Sequence, residues 1–222
     1  MIEIKDFSKR YKNKIILDDI NLIIEENKIS FLMGKNGSGK TTLLKCVASL
    51  ENYEGQILID KKENINSKKS YFIIWDDCPY YVDDNGIDNL FLLSEGKYSK
   101  KEIYDIVKDV MNESLLKKKV KQYSYGEKKK LSFALIMLLN PAVIIMDEIT
   151  NGLDYDTLLY LKDRLLEWSK DKTILLTGHQ FSFYDGIVDD VYVINQERHI
   201  VEYKNIKEIN LKLEDIYNET MS

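Results

Sequence analysis

One segment of this 222-residue sequence constrains the fold more than any other. Residues 34–41 read Gly-Lys-Asn-Gly-Ser-Gly-Lys-Thr and follow Lys28 to Met33, an apolar stretch that alternates like a β-strand. The next residues, Lys40 to Leu50, have a helical pattern. Glycines let successive backbone N–H groups in such a loop point at one anion, and the helix adds the positive end of its dipole. The spacing therefore predicts a phosphate-binding loop between a strand and a helix.

Each residue type in this loop suits one part of a nucleotide. The Lys40 ammonium suits the β- and γ-phosphates, and the Thr41 hydroxyl suits Mg²⁺. The alternative is a glycine turn that only caps a helix. The loop residues that we expect to bind the nucleotide are Gly34, Asn36, Gly37, Ser38, Gly39, Lys40, Thr41 and Thr42.

A pair of carboxylates follows a second apolar segment. Asp147 and Glu148 come directly after Val143 to Met146, which suits a strand buried on both faces. In an open parallel sheet, ligands bind beyond the carboxyl ends of the strands, so these residues should face the same crevice as the loop. Asp147 suits Mg²⁺, and Glu148 suits polarisation of an attacking water. The alternative is an acidic turn in solvent.

Charge and composition exclude several classes of protein. There are 32 basic and 37 acidic residues, and the net charge of −5 argues against global attraction to nucleic acid. The longest apolar stretch, Phe133 to Met146, is interrupted by Asn140 and Pro141, so no membrane-spanning helix is expected. With no secretory signal at the N-terminus, we expect a cytoplasmic protein. Two cysteines and two histidines do not suggest a disulfide framework or a histidine-rich metal centre.

Strands and helices alternate along the chain, which indicates an α/β core with a parallel sheet. A helical block, roughly Asp76 to Leu139, interrupts that alternation like an inserted subdomain. Within the block, Ser99 and Glu102 have the spacing of a capping box at the start of a helix. The last segment, Asn205 to Tyr217, is predicted to be a short helix.

Further motifs resemble those of the ATP-binding cassette (ABC) ATPases. Tyr123 to Glu127, Tyr-Ser-Tyr-Gly-Glu, stands at the position of the family's signature. Asn151 to Asp154, Asn-Gly-Leu-Asp, is similar to the D-loop, and Thr177 to His179, Thr-Gly-His, stands where the family has its switch histidine. Tyr11 falls where an aromatic ring stacks on adenine. These motifs occur in the family's order over most of the chain.

The resemblance implies a fold and a domain organisation. The fold class is α/β: a P-loop NTPase core with a mainly parallel sheet, an N-terminal antiparallel β-subdomain and an inserted α-helical subdomain. The whole chain, 1–222, would be a single ABC ATPase domain, with the helical subdomain at about 76–139.

The resemblance also implies roles for individual residues. Glu148, His179 and Lys40 would be catalytic, and Thr41, Asp77 and Asp147 would hold Mg²⁺. Two ATP molecules would lie between two cassettes, each ATP closed by Ser124 and Gly126 of the opposite cassette. Asp154 would contact that cassette and couple the two sites.

Two departures from the family pattern affect these roles. Tyr125 replaces the first glycine of the signature, and Glu127 replaces its glutamine. The Q-loop glutamine has no clear equivalent, and the spacing to Pro79 places Asp77 there. A carboxylate can reach Mg²⁺ or its waters but cannot donate an amide hydrogen bond. A simple Asp-Asp-x-Pro turn is the alternative.

The implied function is the ATPase subunit of an ABC transporter. Its partners would be a second cassette, identical or different, and a separate integral membrane permease that holds it at the inner face of the cell membrane. The Asp-x-Pro form of the Q-loop resembles some exporter cassettes, so we expect export. The alternatives are a soluble ABC ATPase that acts on a cytoplasmic complex and a regulatory module that binds ATP without hydrolysing it.

Overall fold

The structure is a computed structural model that describes residues 1–67, 69–77 and 79–221. Cys78, one of the two cysteines considered above, falls outside the described residues. The strands are β1 (Ile2–Tyr11), β2 (Lys14–Ile24), β3 (Ile29–Gly34), β4 (Glu54–Ile59), β5 (Lys62–Glu63), β6 (Tyr71–Ile74), β7 (Val143–Met146), β8 (Thr173–Leu176), β9 (Asp190–Ile194) and β10 (Ile200–Tyr203). The α-helices are α1 (Lys40–Val47), α2 (Gly86–Leu93), α3 (Lys100–Val107), α4 (Glu113–Lys117), α5 (Tyr125–Leu139), α6 (Tyr155–Trp168), α7 (Phe181–Tyr184) and α8 (Leu213–Met221).

The larger sheet places the phosphate loop beside the paired carboxylates. Its order is β10-β9-β3-β8-β7-β6, with parallel pairing except between β10 and β9. All four residues of β7 are apolar and buried, as the sequence predicts. Because the pairing from β9 through β6 is parallel, the carboxyl ends of β3, β8 and β7 meet at one edge. The segments that follow these three strands therefore converge there.

The smaller sheet, in the order β2-β1-β4-β5, is antiparallel. Strands β1 and β2 have 10 and 11 residues. Their pairing register shifts between Ile4 and Phe7, and Asp6 and Asp19 both have a φ of 48°. Each irregularity interrupts the two-residue period, so the pattern marks only part of each strand.

Two hydrophobic cores cover opposite faces of the larger sheet. Neighbouring residues of β3 alternate between them: Phe31 and Met33 belong to one core, and Leu32 belongs to the other. The first core also takes buried residues from α5, α6, α7 and α8. The second takes them from α1 and from the antiparallel sheet. The sheet is therefore covered by helices on one face and by a second sheet with α1 on the other.

A third core lies among helices α2 to α5, between β6 and β7 in the chain. Helix α5 belongs to two cores: Leu131 and Leu135 pack in the helical core, whereas Phe133 and Ile136 pack in the first sheet core. The predicted fold class, an α/β core with an N-terminal antiparallel sheet and inserted helices, is confirmed. The division into a single domain with a subdomain at about 76–139 stays a prediction.

The first residues of two helices, α3 and α8, can be compared with the sequence predictions. The predicted capping box forms at the start of α3, where Ser99 and Glu102 bond each other's backbone N–H groups. The predicted C-terminal helix Asn205–Tyr217 is wrong at its start, since α8 begins at Leu213. Asn205 and Asn210 have φ values of 53° and 51°, a left-handed conformation that a helix cannot contain.

The described residues also bear on membrane insertion. Their longest α-helix, α5, has 15 residues. None of the helices in these ranges combines the length and the apolar character needed to cross a bilayer.

Candidate functional site

The phosphate loop connects β3 to α1 in a conformation that depends on glycine. Gly39, the residue before α1, has a φ of 112°, a region that residues with a side chain rarely adopt. A Cβ atom there would also lie 3.0 Å from the Cγ2 atom of Ile16. The loop therefore needs glycine at this position both for its backbone angle and for its close approach to β2.

Lys40 turns back over the loop that precedes it. Its Nζ atom donates a 2.7 Å hydrogen bond to the Gly34 carbonyl oxygen. Burial lowers the pKa of the Lys40 ammonium, while the charges of Glu148 and Asp147 oppose that shift. The ammonium thus lies in the concave side of the loop, close to two carboxylates.

Asp147 is buried at the end of β7 and is held through both carboxylate oxygens. Its Oδ2 atom accepts a 3.3 Å hydrogen bond from the Thr41 hydroxyl, in the first turn of α1. Its Oδ1 atom accepts a 2.6 Å hydrogen bond from the Thr177 hydroxyl, just after β8. The convergence expected from the parallel sheet therefore occurs: residues that follow three different strands contact one another.

Glu148, the residue after Asp147, forms a pair with His179. The His179 Nε2 atom lies 3.2 Å from the Glu148 Oε1 atom. Burial raises the pKa of Glu148, against the opposing influence of His179. The Glu148 Oε2 atom is buried without a hydrogen-bond partner among the described residues, and the same holds for the Ser38 hydroxyl of the phosphate loop. Buried oxygens without a partner are costly, so both positions fit a ligand that brings one.

Two cavities adjoin these side chains. One of about 210 Å³ lies on the loop and is lined by Ile16, Asn36, Gly37, Gly39, Lys40, Thr41, Thr42 and Glu148. A second of about 440 Å³ is lined by Thr41, Lys45, Leu50, Trp75, Asp76, Asp77, Pro79 and Asp147. The predicted metal ligands Thr41, Asp77 and Asp147 therefore line one cavity.

The oxygen atoms of this second cavity suit Mg²⁺. Within the ranges that the structure describes, no three His, Cys, Asp or Glu side chains lie close enough together to hold a metal ion. Mg²⁺ usually binds one or two carboxylates together with phosphate oxygens of the substrate and water. The Asp147 carboxylate and the Thr41 hydroxyl fit an ion that arrives with a nucleotide.

The signature segment lies at the start of α5, outside this cluster. Ser124 is exposed and caps the helix, and Glu127 completes a capping box with it. Glu127 thus has a structural use as the replacement for the family's glutamine. Gly126 follows at the first turn of the helix, only partly buried. No nucleotide-site residue of the same chain forms a described hydrogen bond with Ser124.

Tyr125 contacts the Q-loop segment and the D-loop. Its hydroxyl donates to the carbonyl oxygen and the carboxylate of Asp76, the neighbour of Asp77. Its ring lies against Gly152, where an added Cβ atom would come within 2.5 Å of the Tyr125 Cδ1 atom. Lys129, fully buried one helical turn later, donates to the Trp75 carbonyl at 3.2 Å. The departure at position 125 therefore connects the signature, the Q-loop segment and the D-loop within one chain.

The two remaining predicted residues, Asp154 and Tyr11, are both exposed. Asp154 is exposed and caps α6, accepting a 2.8 Å hydrogen bond from the Thr157 backbone N–H. The Tyr11 hydroxyl bonds the Glu51 carboxylate, which raises the pKa of Tyr11 and lowers that of Glu51. The ammonium of Lys9 lies 4.7 Å from the centre of the Tyr11 ring. The aromatic ring predicted to face adenine is thus held by two neighbours.

This combination of loop, carboxylates and histidine agrees with comparison to known proteins. Residues 17–151 match the model of the ABC transporter family. The chain belongs to this family. ABC proteins bind and hydrolyse ATP, so the nucleotide expected at the loop is ATP.

Named relatives extend this membership over nearly the whole chain. The methionine import ATP-binding protein MetN of Clostridium tetani is 30% identical over 96% of this chain and 72% of its own length. The lantibiotic transport ATP-binding protein SrtF of Streptococcus pyogenes is 28% identical over 98% of this chain and 96% of its own. The bacitracin transport ATP-binding protein BcrA of Enterococcus faecalis is 30% identical over 95% of this chain and 71% of its own.

Solved structures share the fold of this ABC protein. An ATP-binding subunit of an ABC transporter superposes with a TM-score of 0.88 at 22% identity, covering 99% of each chain. The cassette MJ0796, solved as a dimer with ADP and Pi, superposes with a TM-score of 0.78 at 21% identity, covering 92% of this chain and 98% of its own. At this level of identity, the comparison supports the fold alone.

Three residues near the ABC site escape the sequence analysis. Thr177 is the first residue of the Thr-Gly-His segment, and its hydroxyl bonds Asp147 directly. Lys9, two residues before Tyr11 in β1, and Glu51, after α1, hold the Tyr11 side chain. A threonine after a buried strand and an isolated Lys–Glu pair are common patterns, so no sequence signal distinguishes them.

Proposed function

We propose that this chain is the ATP-binding and ATP-hydrolysing subunit of an ABC transporter. One observation carries the proposal: Asp147 links Thr41 of the phosphate loop to Thr177, while Glu148, the next residue, pairs with His179. A nucleotide site without hydrolysis needs the loop but has no use for a partly buried carboxylate paired with histidine. This arrangement therefore favours an ATPase over a regulatory module that only binds ATP.

The residues divide the work of hydrolysis among them. Backbone N–H groups of the phosphate loop and the Lys40 ammonium bind the phosphates, and Tyr11 stacks on adenine. Glu148 accepts a proton from the attacking water, because burial raises the pKa of its carboxyl and makes it a better base. His179 holds Glu148 and contacts the transferred phosphate. Thr41, Asp147 and Asp77 would hold Mg²⁺, which would supply positive charge to the leaving phosphate oxygens.

Glu148→Gln tests the hydrolytic step. Glutamine keeps the shape of the side chain but cannot accept the proton, so ATP turnover should fall by at least about a hundredfold. ATP affinity should be preserved, and size-exclusion chromatography with ATP should show a trapped dimer. Glu197→Gln, which changes an exposed carboxylate beside β10, is the matched control and should turn over ATP normally. Normal turnover in Glu148→Gln would contradict the assignment of the base.

We extend the proposal to a pair of cassettes. Ser124 and Gly126 have no described hydrogen bond to the phosphate loop of their own chain, and Ser124 is exposed. The N-terminal end of α5 suits a phosphate group, as helix N-termini generally do. Each ATP would thus be closed by the signature of a second cassette, identical or different, with Asp154 coupling the two sites. The full chain would act as a single ATPase domain with its helical subdomain at about 76–139.

The second partner in this proposal is an integral membrane permease. The names of MetN, SrtF and BcrA assign those relatives to transport of methionine, lantibiotic and bacitracin. By analogy, this chain would lie on the cytoplasmic face of the membrane and supply energy to a separate pore. Export, the direction suggested by the Asp-x-Pro segment, stays a prediction.

Affinity purification identifies the partner. Tagged Glu148→Gln protein would be purified in mild detergent from its native cells with ATP present, and its partners identified by mass spectrometry. An integral membrane protein at near-stoichiometric yield is the expected result, and its identity would narrow the cargo. A soluble complex at that yield would favour the alternative, an ABC ATPase that acts on a cytoplasmic assembly.

A further inference from the structure

Thr177 contacts both acidic residues on which the proposed hydrolysis depends, through the Asp147 carboxylate and the Glu148 backbone. It follows β8 directly and is fully buried. Its backbone N–H donates a 2.9 Å hydrogen bond to the Met146 carbonyl, so it continues the pairing of β8 with β7. The sheet itself therefore places the Thr177 side chain beside the residues that follow β7.

The Thr177 hydroxyl makes two contacts with different functions. It donates to the Asp147 Oδ1 atom at 2.6 Å, and it accepts from the Glu148 backbone N–H at 3.1 Å. The first contact occupies one carboxylate oxygen, which leaves Oδ2 directed at Thr41. The second contact fixes the peptide group between the two acidic residues. One hydroxyl group thus contacts the carboxylate of Asp147 and the backbone of Glu148.

The backbone of Glu148 needs such a contact. Its φ is 52°, in the left-handed region that a residue with a long side chain seldom adopts. A conformation of this kind persists when its surroundings determine it. The hydrogen bond from the Glu148 N–H to Thr177 is such a determinant, and the resulting backbone brings the carboxylate within 3.2 Å of His179.

Thr177 is itself held in place. The Tyr184 ring is fully buried beneath the segment, and its hydroxyl donates to the Thr177 carbonyl at 3.4 Å. A Cβ atom at Gly178 would lie 2.8 Å from that hydroxyl, so the chain passes close over the ring. The position of the Thr177 side chain is therefore determined by the sheet on one side and by Tyr184 on the other.

We infer that Thr177 is a positioning residue of the hydrolytic centre, whose hydroxyl orients Asp147 towards the phosphate loop and Glu148 towards His179. The inference rests on the proposed ATPase function. It assigns Thr177 no contact with the nucleotide, so its loss should affect turnover and the Mg²⁺ requirement far more than nucleotide binding without metal.

A set of three variants tests this inference. Thr177→Val keeps the branched shape but leaves Asp147 Oδ1 and the Glu148 N–H without their partner. Thr177→Ser keeps the hydroxyl. Thr173→Val is the matched control, because Thr173 is also buried, lies at the other end of β8 and accepts a hydrogen bond from the N-terminal amine at 3.2 Å. Turnover would be measured against ATP and Mg²⁺ concentration, together with Tm and ATP affinity in Mg²⁺ and in EDTA.

The inference predicts a separation of kcat from binding. Thr177→Val should lose at least about tenfold in kcat, need more Mg²⁺ for half-maximal turnover, and keep its KM and its affinity in EDTA within about twofold. Thr177→Ser should retain at least about half of the wild-type kcat. Thr173→Val should lose Tm but not kcat.

The opposite results are equally clear. Wild-type kcat in Thr177→Val would overturn the inference, and so would a Thr177→Ser variant as slow as Thr177→Val, because packing rather than the hydroxyl would then matter. If the wild-type protein does not hydrolyse ATP at all, the proposed function fails. In that case the ATP affinities in Mg²⁺ and in EDTA decide. If Mg²⁺ strengthens ATP binding equally in Thr177→Val and in the wild type, the role assigned to Thr177 is overturned. If Mg²⁺ strengthens ATP binding less in Thr177→Val, that role is supported.

Discussion

The carboxyl end of the larger sheet and the N-terminal turn of α5 carry the two sets of residues that we assign to ATP, and they differ in burial. At the sheet, Asp147 and Lys40 are buried and bonded to groups of the same chain. At the helix, Ser124 is exposed, and its described hydrogen bonds are to Glu127 in the capping box and to the Lys128 N–H in the first turn of α5. The first set is oriented before any ligand arrives. The second set contacts ATP only when a second cassette approaches, as we propose.

This difference assigns separate tasks to the two regions. Groups that must be oriented to an ångström for proton transfer benefit from a rigid, buried setting. A capping group that opens and closes has to lie at the surface. Changes at the sheet should therefore act on chemistry within one chain, whereas changes at α5 should act on the encounter between two chains.

The largest expected effect that tests this division comes from Ser124→Ala. Loss of the hydroxyl should lower ATP turnover by about tenfold, because one phosphate contact of the opposite cassette disappears, while ATP affinity of the isolated chain is unchanged. Stability should fall by about 1 kcal/mol through loss of the N-cap. Enzyme assays and calorimetry measure both quantities.

Ser99→Ala provides the control for this experiment. Ser99 forms the same type of capping box at the start of α3, far from the motifs. It should lose about the same stability, corresponding to about 2–4 °C in Tm, with turnover within about twofold of the wild type. Equal turnover in the two variants would mean that Ser124 is only a cap, and the comparison of the two regions would fail.

A smaller effect is expected from Tyr125→Phe. This change removes the hydrogen bonds to Asp76 that join α5 to the segment after β6. We expect turnover to fall about threefold, because the signature is then less well aligned with the rest of its chain. Tyr98→Phe is the control, since the Tyr98 hydroxyl bonds the Leu138 carbonyl at 3.1 Å within the helical core. If both variants turn over ATP alike, the Tyr125 contact is structural only.

The smallest effect is expected from Tyr11→Phe, at a residue that is exposed yet bonded within its own chain. The ring that stacks on adenine remains, so ATP affinity should fall by only about twofold, and Tyr11→Ala should lose considerably more. Tm at neutral pH should fall by about 1–2 °C, the effect of about 0.5 kcal/mol in a domain of this size. Fluorescence titration and thermal denaturation measure the two effects.

The pH dependence of this Tm difference has a definite sign. The hydrogen bond from Tyr11 lowers the pKa of Glu51 below its ordinary value of 4.5. A lowered carboxyl pKa stabilises the folded state above that ordinary value, and the stabilisation is lost as pH falls through the folded pKa. The wild type and Tyr11→Phe should therefore differ at pH 7 and converge in acid. A difference that grows on acidification would contradict the contact with Glu51.

The sequence predicts those features of the fold that depend on short runs of neighbouring residues. The phosphate loop, the buried strand before Asp147 and the capping box at Ser99 each occupy fewer than about ten residues, and each has a short-range physical cause. The start of α8 is not predictable in this way, because backbone angles at Asn205 and Asn210 decide it.

Contacts between distant residues account for what the sequence leaves open at the site. Tyr125 and Asp76 are separated by 49 positions, and Thr177 and Asp147 by 30. A tyrosine in place of a glycine shows only that the signature departs from its family. The structure shows that the partner of the Tyr125 hydroxyl is Asp76.

Helix α5 has a consequence for folding. Because Leu131 and Leu135 pack in the helical core while Phe133 and Ile136 pack against the sheet, neither core can lose this helix without exposing apolar surface of the other. The inserted helices and the sheet should therefore not melt independently. The chain should unfold as one cooperative unit, although its helical block is encoded as a separate stretch between β6 and β7.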